Sequence, residues 1–214
     1  LRQGFNMEDQ NLVYLLDGKI YINLTNACTN KCLFCIRNLK DNVCGKKLWL
    51  TDDNVKSKDV ISQLKNIYNG ESEIIFCGYG EPTLRLEALK ETAKFIKENY
   101  PNVKVRLNTN GHANFVYKRN ILPELKNLVD EISVSLNAQS EGLYKELTQT
   151  EIKTQTPLKE VEDFIKKSVE AGFETVASVV SGYKDYEVNI KECEQIAHKL
   201  GAKFKNREWL DKGY

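Results

Sequence analysis

The sequence lacks the features that mark membrane, secreted and nucleic-acid-binding proteins. Its 214 residues contain no apolar run of membrane-spanning length and no secretory signal pattern. The 31 basic residues nearly balance the 30 acidic ones, so a net charge of +1 does not favour nucleic acid as a partner. Six cysteines are too few for a disulfide scaffold in a chain this long. We therefore expect a cytoplasmic protein that uses cysteines for metal or redox chemistry.

The length predicts a single domain, because the sequence has no internal repeat and no Pro/Gly-rich linker. Methionine occurs only at position 7. We expect residues 1–6 to be a remnant that precedes the natural start, and a single domain to span residues 7–214.

Apolar, strand-like segments alternate with amphipathic, helix-like segments along the chain. The strand-like segments are residues 20–24, 74–76, 103–107, 132–136, 175–180 and 202–205. Helical spacing covers residues 60–68, 86–100, 121–128, 164–169 and 190–200, with Thr51 or Asp52 as the expected cap of the first helix and Gly70 as its end. This order predicts right-handed βαβ units. About six units, fewer than the eight of a closed barrel, predict a partial (β/α)6 barrel with a curved, open, parallel sheet.

Three of the predicted strands carry polar residues on one face. These residues are Tyr21, Asn23 and Thr25 on the first, Arg106, Asn108 and Asn110 on the third, and Ser133, Ser135 and Asn137 on the fourth. Alternation with a period of two puts each set on one side of the sheet. Because helices should cover the other side, we expect a polar cavity inside the barrel rather than the solvated face of an antiparallel sheet.

The most informative motif is a loop with three cysteines, Cys28, Cys32 and Cys35, spaced C-x3-C-x2-C directly after the first strand. Parallel α/β sheets place ligands at this end of their strands. Three thiolates can bind three irons of a cubane cluster and leave the fourth iron open for chemistry. Two alternatives remain open, and both use Cys44 as a fourth ligand: a structural zinc site and an electron-transfer iron–sulfur cluster.

A second motif, Cys77-Gly78-Tyr79-Gly80-Glu81-Pro82-Thr83, follows the second strand. Its two glycines let the backbone approach a ligand closely. The Glu81 carboxylate and the free carbonyl groups at the strand end suit an ammonium group. The alternative is a turn that needs glycine and proline for purely structural reasons.

Together the two motifs resemble the radical S-adenosylmethionine (SAM) superfamily. The resemblance rests on the cysteine loop, with aromatic Phe34 before its last cysteine, and on the Gly-Glu-Pro turn after the second strand. More narrowly, the chain resembles the short TatD-associated radical SAM group. The matching segments are residues 24–26, 34–37, 76–85, 108–113 and 134–138.

The resemblance implies a mechanism and a set of cofactor contacts. Cys28, Cys32 and Cys35 would hold a [4Fe–4S] cluster, and the amine and carboxylate of SAM would chelate its open iron. Reductive cleavage of SAM would give a 5′-deoxyadenosyl radical that abstracts hydrogen from a substrate. The turn would hold the amine of SAM, and other residues would contact its ribose and adenine. The implied cofactor residues are Phe34, Gly78, Tyr79, Gly80, Glu81, Asn108, Ser135, Asn137, Val180, Asn206 and Arg207.

Two further residues are expected near the site. His112 and Arg37 would touch the substrate or the carboxylate of SAM, although a bond from His112 to backbone is an equal alternative for that residue.

The implied partners are a reductant such as flavodoxin or ferredoxin and a substrate that the sequence leaves open. A small molecule, a glycyl-radical protein and a modified RNA all remain candidates, and the shortness of the barrel favours an open mouth and a large partner. The expected setting is an anaerobic or reducing cytoplasm. The rival interpretation is a non-catalytic zinc or iron–sulfur module.

Overall fold

The computed structural model describes residues 10–43 and 45–209, so the expectations for residues 1–6 and for Cys44 lie outside the described residues. The strands are β1 Val13–Leu16, β2 Lys19–Ile22, β3 Asn42–Val43, β4 Lys46–Lys47, β5 Glu73–Phe76, β6 Lys104–Thr109, β7 Glu131–Ser135, β8 Glu174–Ser181 and β9 Lys203–Glu208. Seven of them form one sheet in the order β1-β2-β5-β6-β7-β8-β9. All pairs are parallel except β1 with β2, which confirms the predicted open, mostly parallel α/β fold.

The helices follow the strands as the alternation predicts. They are α1 Ser57–Ile67, α2 Leu86–Asn99, α3 Ala113–Tyr117, α4 Leu122–Leu125, α5 Glu141–Thr148, α6 Pro157–Glu170 and α7 Ile190–Lys199. The helix expected at residues 121–128 is reduced to the four residues of α4, because Lys126 is extended and Asn127 has a φ of 65°.

The start of α1 differs from the sequence prediction. Its N-cap residue is Lys56, whereas Thr51 or Asp52 was expected to cap it. The intervening residues are held elsewhere, because the carboxylate of Asp53 accepts hydrogen bonds from Thr25 Oγ1 at 3.0 Å and from Asn26 N–H at 2.7 Å. This stretch therefore anchors the chain that leaves β2 towards the cysteines.

The edge strand β1 was missed by the sequence analysis. It forms a hairpin with β2 through Asp17 and Gly18, whose φ values are 49° and 70°. An Asp-Gly pair between two apolar segments is a strong signal for such a turn, so the sequence did contain the information.

The two faces of the sheet separate as predicted. Along β6, Val105, Leu107 and Thr109 are buried, while Arg106 and Asn108 alternate with them and are partly exposed. The first set belongs to the face that α2 and the other helices cover. The second set faces the inside of the open barrel.

The N-terminal ends of the parallel strands are joined by a chain of ion pairs. Lys104 Nζ contacts Glu131 at 2.6 Å and Glu174 at 2.8 Å, and Lys203 pairs with Glu174 as well. Glu73 pairs with Lys19 at 2.6 Å. These contacts tie together the end of the barrel opposite the cysteine loop, where conserved contacts in such barrels serve stability.

Candidate active site

The three cysteines lie on a loop that begins at the C-terminal end of β2. The loop is fixed to the end of α5, because Lys31 N–H donates to the carbonyl of Thr148 at 2.9 Å and Leu33 N–H donates to that of Leu147 at 2.9 Å. All three cysteines are free thiols and half-buried. The two backbone bonds therefore fix the position of the cysteine loop against α5.

Burial keeps these thiols protonated while no cation is bound. It raises the pKa of Cys28 to about 11, and the Glu81 carboxylate adds to this effect. Burial also raises the pKa of Cys32 and Cys35, and negative charge on the neighbouring thiols raises that of Cys32 further. Metal binding must therefore displace protons from this loop.

The glycines after β5 let the backbone pack against the cysteine loop. A Cβ atom on Gly80 would lie 2.5 Å from the carbonyl oxygen of Ala27, and the Glu81 N–H donates to the same oxygen at 2.8 Å. A Cβ atom on Gly78 would lie 2.5 Å from Cγ of Asn23. The sequence analysis expected these glycines to admit a ligand, but in the structure they admit the segment that carries the thiols.

The Glu81 carboxylate has a different use from the one expected. It is buried, and it accepts four hydrogen bonds: two from Thr83, one from Thr109 Oγ1 at 2.7 Å and one from Asn110 N–H at 2.7 Å. These bonds join the turn to the end of β6. Burial raises the pKa of Glu81, although each of these donors acts in the opposite direction. The contact of residues 78–81 with the amine of SAM, including the Glu81 carboxylate, stays a prediction.

Arg37 binds backbone and not an open site. Its guanidinium donates to the carbonyl groups of Asn26 at 3.3 Å, Asn30 at 3.1 Å and Tyr79 at 3.4 Å. It thereby joins both sides of the cysteine loop to the glycine turn. The expected contact of Arg37 with substrate or the carboxylate of SAM stays a prediction.

His112 is also a positioning residue. Its Nδ1 atom lies 3.0 Å from Thr29 Oγ1 and its Nε2 atom lies 2.9 Å from the Tyr144 hydroxyl. Burial lowers the pKa of His112 to about 4, so the ring is neutral at pH 7. Asn110 Nδ2 donates to Thr29 Oγ1 at 2.7 Å and to Cys28 Sγ at 3.7 Å. Neither Thr29 nor Tyr144 could be predicted as a partner of His112, because both are far from it in sequence.

The expected ribose contacts lie at the rim of the barrel. Ser135 ends β7, and Asn137 follows with a φ of 63° and an N–H that donates to Ser178 at 3.2 Å. Neither side chain hydrogen-bonds to a described residue, which leaves both able to bind a ligand.

The expected adenine contacts divide into two places. Phe34 packs edge-to-face on Tyr183 with 6.1 Å between the ring centroids, near the rim. Val180 and Arg207 are paired in register on β8 and β9, but the Arg207 side chain reaches inward to Ser133.

A cavity of about 550 Å³ occupies the inside of the barrel. Its wall includes Tyr21, Arg106, Asn108 and Ser133, four of the nine polar residues predicted to face the interior. Four of the expected cofactor residues also line it, Gly78, Tyr79, Asn108 and Arg207, together with Asn206. Val43 and Leu48 complete an apolar part of the wall, where they cluster with Tyr14 and Tyr79.

A sequence profile decides the family. The profile of the radical SAM superfamily matches residues 22–200, which covers the sheet from β2 to α7 together with the cysteine loop and the glycine turn. The chain belongs to the radical SAM superfamily. The non-catalytic zinc and electron-transfer interpretations are therefore set aside. The narrower resemblance to the TatD-associated radical SAM group stays a prediction.

Related proteins agree with this assignment. The chain is 29% identical over 135 residues to the FeMo cofactor biosynthesis protein NifB of Methanocaldococcus jannaschii, covering 62% of this chain and 44% of that protein. It is 31% identical over 150 residues to an uncharacterised protein of the same organism, covering 68% of this chain and 42% of that protein. The chain thus spans less than half the length of these curated relatives.

The fold is similar to that of a solved protein structure. Streptococcus suis SuiB, solved with the precursor peptide SuiA, superposes with a TM-score of 0.65 at 20% identity, covering 89% of this chain and 39% of SuiB.

In the part of the chain that the structure describes, no helix has the length and apolar character needed to span a membrane.

The residues of the cysteine loop fit the cluster that the radical SAM family implies. Within residues 10–43 and 45–209, no three His, Cys, Asp or Glu side chains are grouped so that they could hold one metal ion. A cubane cluster does not require such a group, because each thiolate binds a different iron. Three half-buried thiols in one loop, with the Asn30 N–H 3.4 Å from Cys28 Sγ and Asn110 Nδ2 beyond it, suit a multinuclear sulfur-ligated cluster.

Proposed function

We propose that this radical SAM protein binds a [4Fe–4S] cluster through Cys28, Cys32 and Cys35 and uses it to cleave SAM reductively. The observation that carries this proposal is the packing of the glycine turn on the cysteine loop, at the edge of the sheet where the cavity begins. When bound, the cluster supplies the electron that converts SAM into methionine and a 5′-deoxyadenosyl radical, which takes a hydrogen atom from the substrate.

The protein's own residues position the reacting groups and exclude water. Arg37, Glu81 and His112 fix the cysteine loop, the turn and the end of β6 relative to one another. We infer that Ser135 and Asn137 bind the hydroxyl groups of a ribose, because neither side chain has a hydrogen-bond partner among the described residues. A radical of this reactivity must be kept from solvent, so a rigid, covered site is a condition for selective chemistry.

The cavity supports a small substrate. Its volume of about 550 Å³ falls within the range typical of small-molecule sites. Val43 and Leu48 add apolar surface to its wall, which is typical of small-molecule sites. We therefore favour a small molecule enclosed by the barrel over a glycyl-radical protein or a modified RNA. A small reductant such as a flavodoxin or ferredoxin is the proposed electron donor.

The test is the formation of 5′-deoxyadenosine by anaerobically reconstituted protein with dithionite and SAM. We expect about one cluster per chain and steady formation of 5′-deoxyadenosine. We expect neither in a variant with Cys28, Cys32 and Cys35 all replaced by alanine. Cys193→Ala is a matched control, because Cys193 is buried in α7 away from the loop. A cluster that forms but leaves SAM intact would contradict the proposed activity.

A further inference from the structure

The guanidinium of Arg207 lies in the wall of the barrel cavity without a counter-ion. Its Nη2 atom donates one long hydrogen bond, 3.4 Å, to Ser133 Oγ. Its Nε atom is buried and has no hydrogen-bond partner, and Arg207 forms no ion pair with any described residue. Arg207 is half-buried, and its buried Nε donor has no partner among the described residues. A buried donor without a partner is unfavourable, so this arrangement indicates an acceptor that is supplied by a ligand.

The other charges of the cavity are satisfied or exposed. Arg106 contacts Glu73 at 3.3 Å and Glu131 at 3.8 Å, and Glu131 is bound more closely by Lys104. Asp17 and Lys205, which complete the charged lining, are exposed to solvent. Among the described residues of this wall, Arg207 is therefore the half-buried cation that has no carboxylate partner.

Neighbouring polar atoms are also without partners. Asn108 hydrogen-bonds the Cys77 thiol, but within residues 10–43 and 45–209 its buried Oδ1 atom and the buried Nε atom of Arg106 have no hydrogen-bond partner. Both residues line the same cavity. Asn108 and Ser133 are directly opposite one another on β6 and β7, so Arg207, Ser133 and Asn108 meet at one level of the barrel. Buried polar atoms are normally paired, and several unpaired ones in a single cavity indicate a polar ligand.

We propose that the barrel cavity binds a small substrate through an anionic oxygen group, a carboxylate or a phosphate, that accepts hydrogen bonds from Arg207. This inference rests on the proposed function, because it names the chemistry of the molecule that the radical would attack. Arginine is suited to either anion, since its planar donors match two oxygens at once.

The position of Arg207 favours the substrate over the carboxylate of SAM. The methionine part of SAM belongs at the cysteine loop, whose neighbours are the glycine turn, the end of β6 and the end of α5. Arg207 reaches the middle of β7 from the far edge of the sheet instead. The carboxylate of SAM is nevertheless the other possible source of the anion, and the experiment must separate the two.

The test is calorimetric titration of the folded protein, with and without bound SAM, using three probes: succinate, inorganic phosphate and the neutral isostere succinamide. We expect succinate or phosphate to bind at least tenfold more tightly than succinamide. In Arg207→Gln the stronger anion should lose about ten- to a hundredfold in affinity, and Arg207→Lys should recover part of it. Arg119→Gln is the matched control, because Arg119 is exposed and pairs with Glu124 on the surface. Tighter binding of succinate than of phosphate would assign a carboxylate to the substrate, and tighter binding of phosphate would assign a phosphate.

Two results would overturn the inference. One is that both anions bind the wild-type protein no better than succinamide up to about 10 mM, a limit that corresponds to roughly 3 kcal/mol. The other is that Arg207→Gln weakens SAM itself tenfold or more, which would assign Arg207 to the cofactor. Neither result depends on cleavage of SAM, so a failure of the inference can be told apart from a failure of the proposed function.

Discussion

A Cβ atom on Gly80 would lie 2.5 Å from the carbonyl oxygen of Ala27, the residue before Cys28. The glycine turn and the cysteine loop are thus in backbone contact, and the position of one determines that of the other. A side chain at position 80 must push the two segments apart, because the atoms in its way are backbone and cannot rotate aside.

We expect Gly80→Ala to disturb the cysteine loop. Forced contacts of this kind cost about 1–3 kcal/mol. The variant should unfold at lower urea concentration and should retain less iron per folded molecule after reconstitution. Gly142→Ala is the matched control, because nothing lies within 4 Å of a Cβ there and alanine favours the helix α5. A Gly80→Ala protein with normal stability and iron content would show that the contact is not needed.

Replacing Glu81 should affect folding before it affects cofactor binding. Glu81→Ala removes the acceptor of four hydrogen bonds and leaves the buried donors of Thr83, Thr109 and Asn110 without a partner. We expect a loss of about 3 kcal/mol or more in the free energy of unfolding of the metal-free protein, measured with urea. Glu98→Ala, at an exposed position on α2, should change it by less than about 0.5 kcal/mol. A Glu81→Ala protein that is stable but binds SAM more weakly would instead indicate that the Glu81 carboxylate contacts SAM directly.

The pH dependence of stability should report His112. Its pKa is about 4 in the folded protein and 6.5 without the fold, so the unfolded chain binds more protons between these values. The neutral His112 ring therefore contributes to the free energy of unfolding above about pH 6.5. This contribution, up to about 3 kcal/mol, is lost as the pH falls towards 4. Urea unfolding of the metal-free protein at pH 7 and pH 4.5 measures it.

The two histidines provide the control for this measurement. In His112→Gln, the loss of unfolding free energy between pH 7 and pH 4.5 should be smaller by the contribution of His112. In His198→Gln, the loss should equal that of the wild type. An unchanged pH profile in His112→Gln would mean that His112 is not the group responsible.

Asn137 should be replaced by glycine and not by leucine. Its φ of 63° lies in the left-handed region, where leucine is strained by about 1–2 kcal/mol. We expect Asn137→Leu to be destabilised, and Asn137→Gly to fold normally but to form 5′-deoxyadenosine more slowly because the ribose loses a partner. A normal rate per bound cluster in Asn137→Gly would show that the amide does not contact the cofactor.

The sequence predicted which strand residues face the helices and which face the barrel interior. It did not predict the hydrogen-bond partners of individual side chains as well. Alternation along β6 separates Val105 and Leu107 from Arg106 and Asn108, and the structure confirms that separation. The roles of Glu81, Arg37 and His112 could not be predicted, because their partners lie on other segments that only the fold brings together. The Asp17-Gly18 hairpin was predictable in principle, since its turn signal is local.

The central claim is that three cysteines hold the cluster and leave one iron open for SAM. The most direct measurement compares the electron paramagnetic resonance spectrum of the reduced cluster with and without SAM in the wild type and in Cys44→Ser. We expect Cys44→Ser to keep its cluster, to show the same SAM-dependent change in the spectrum and to form 5′-deoxyadenosine at the wild-type rate. Loss of the cluster in Cys44→Ser, or a wild-type spectrum that SAM does not change, would contradict the account.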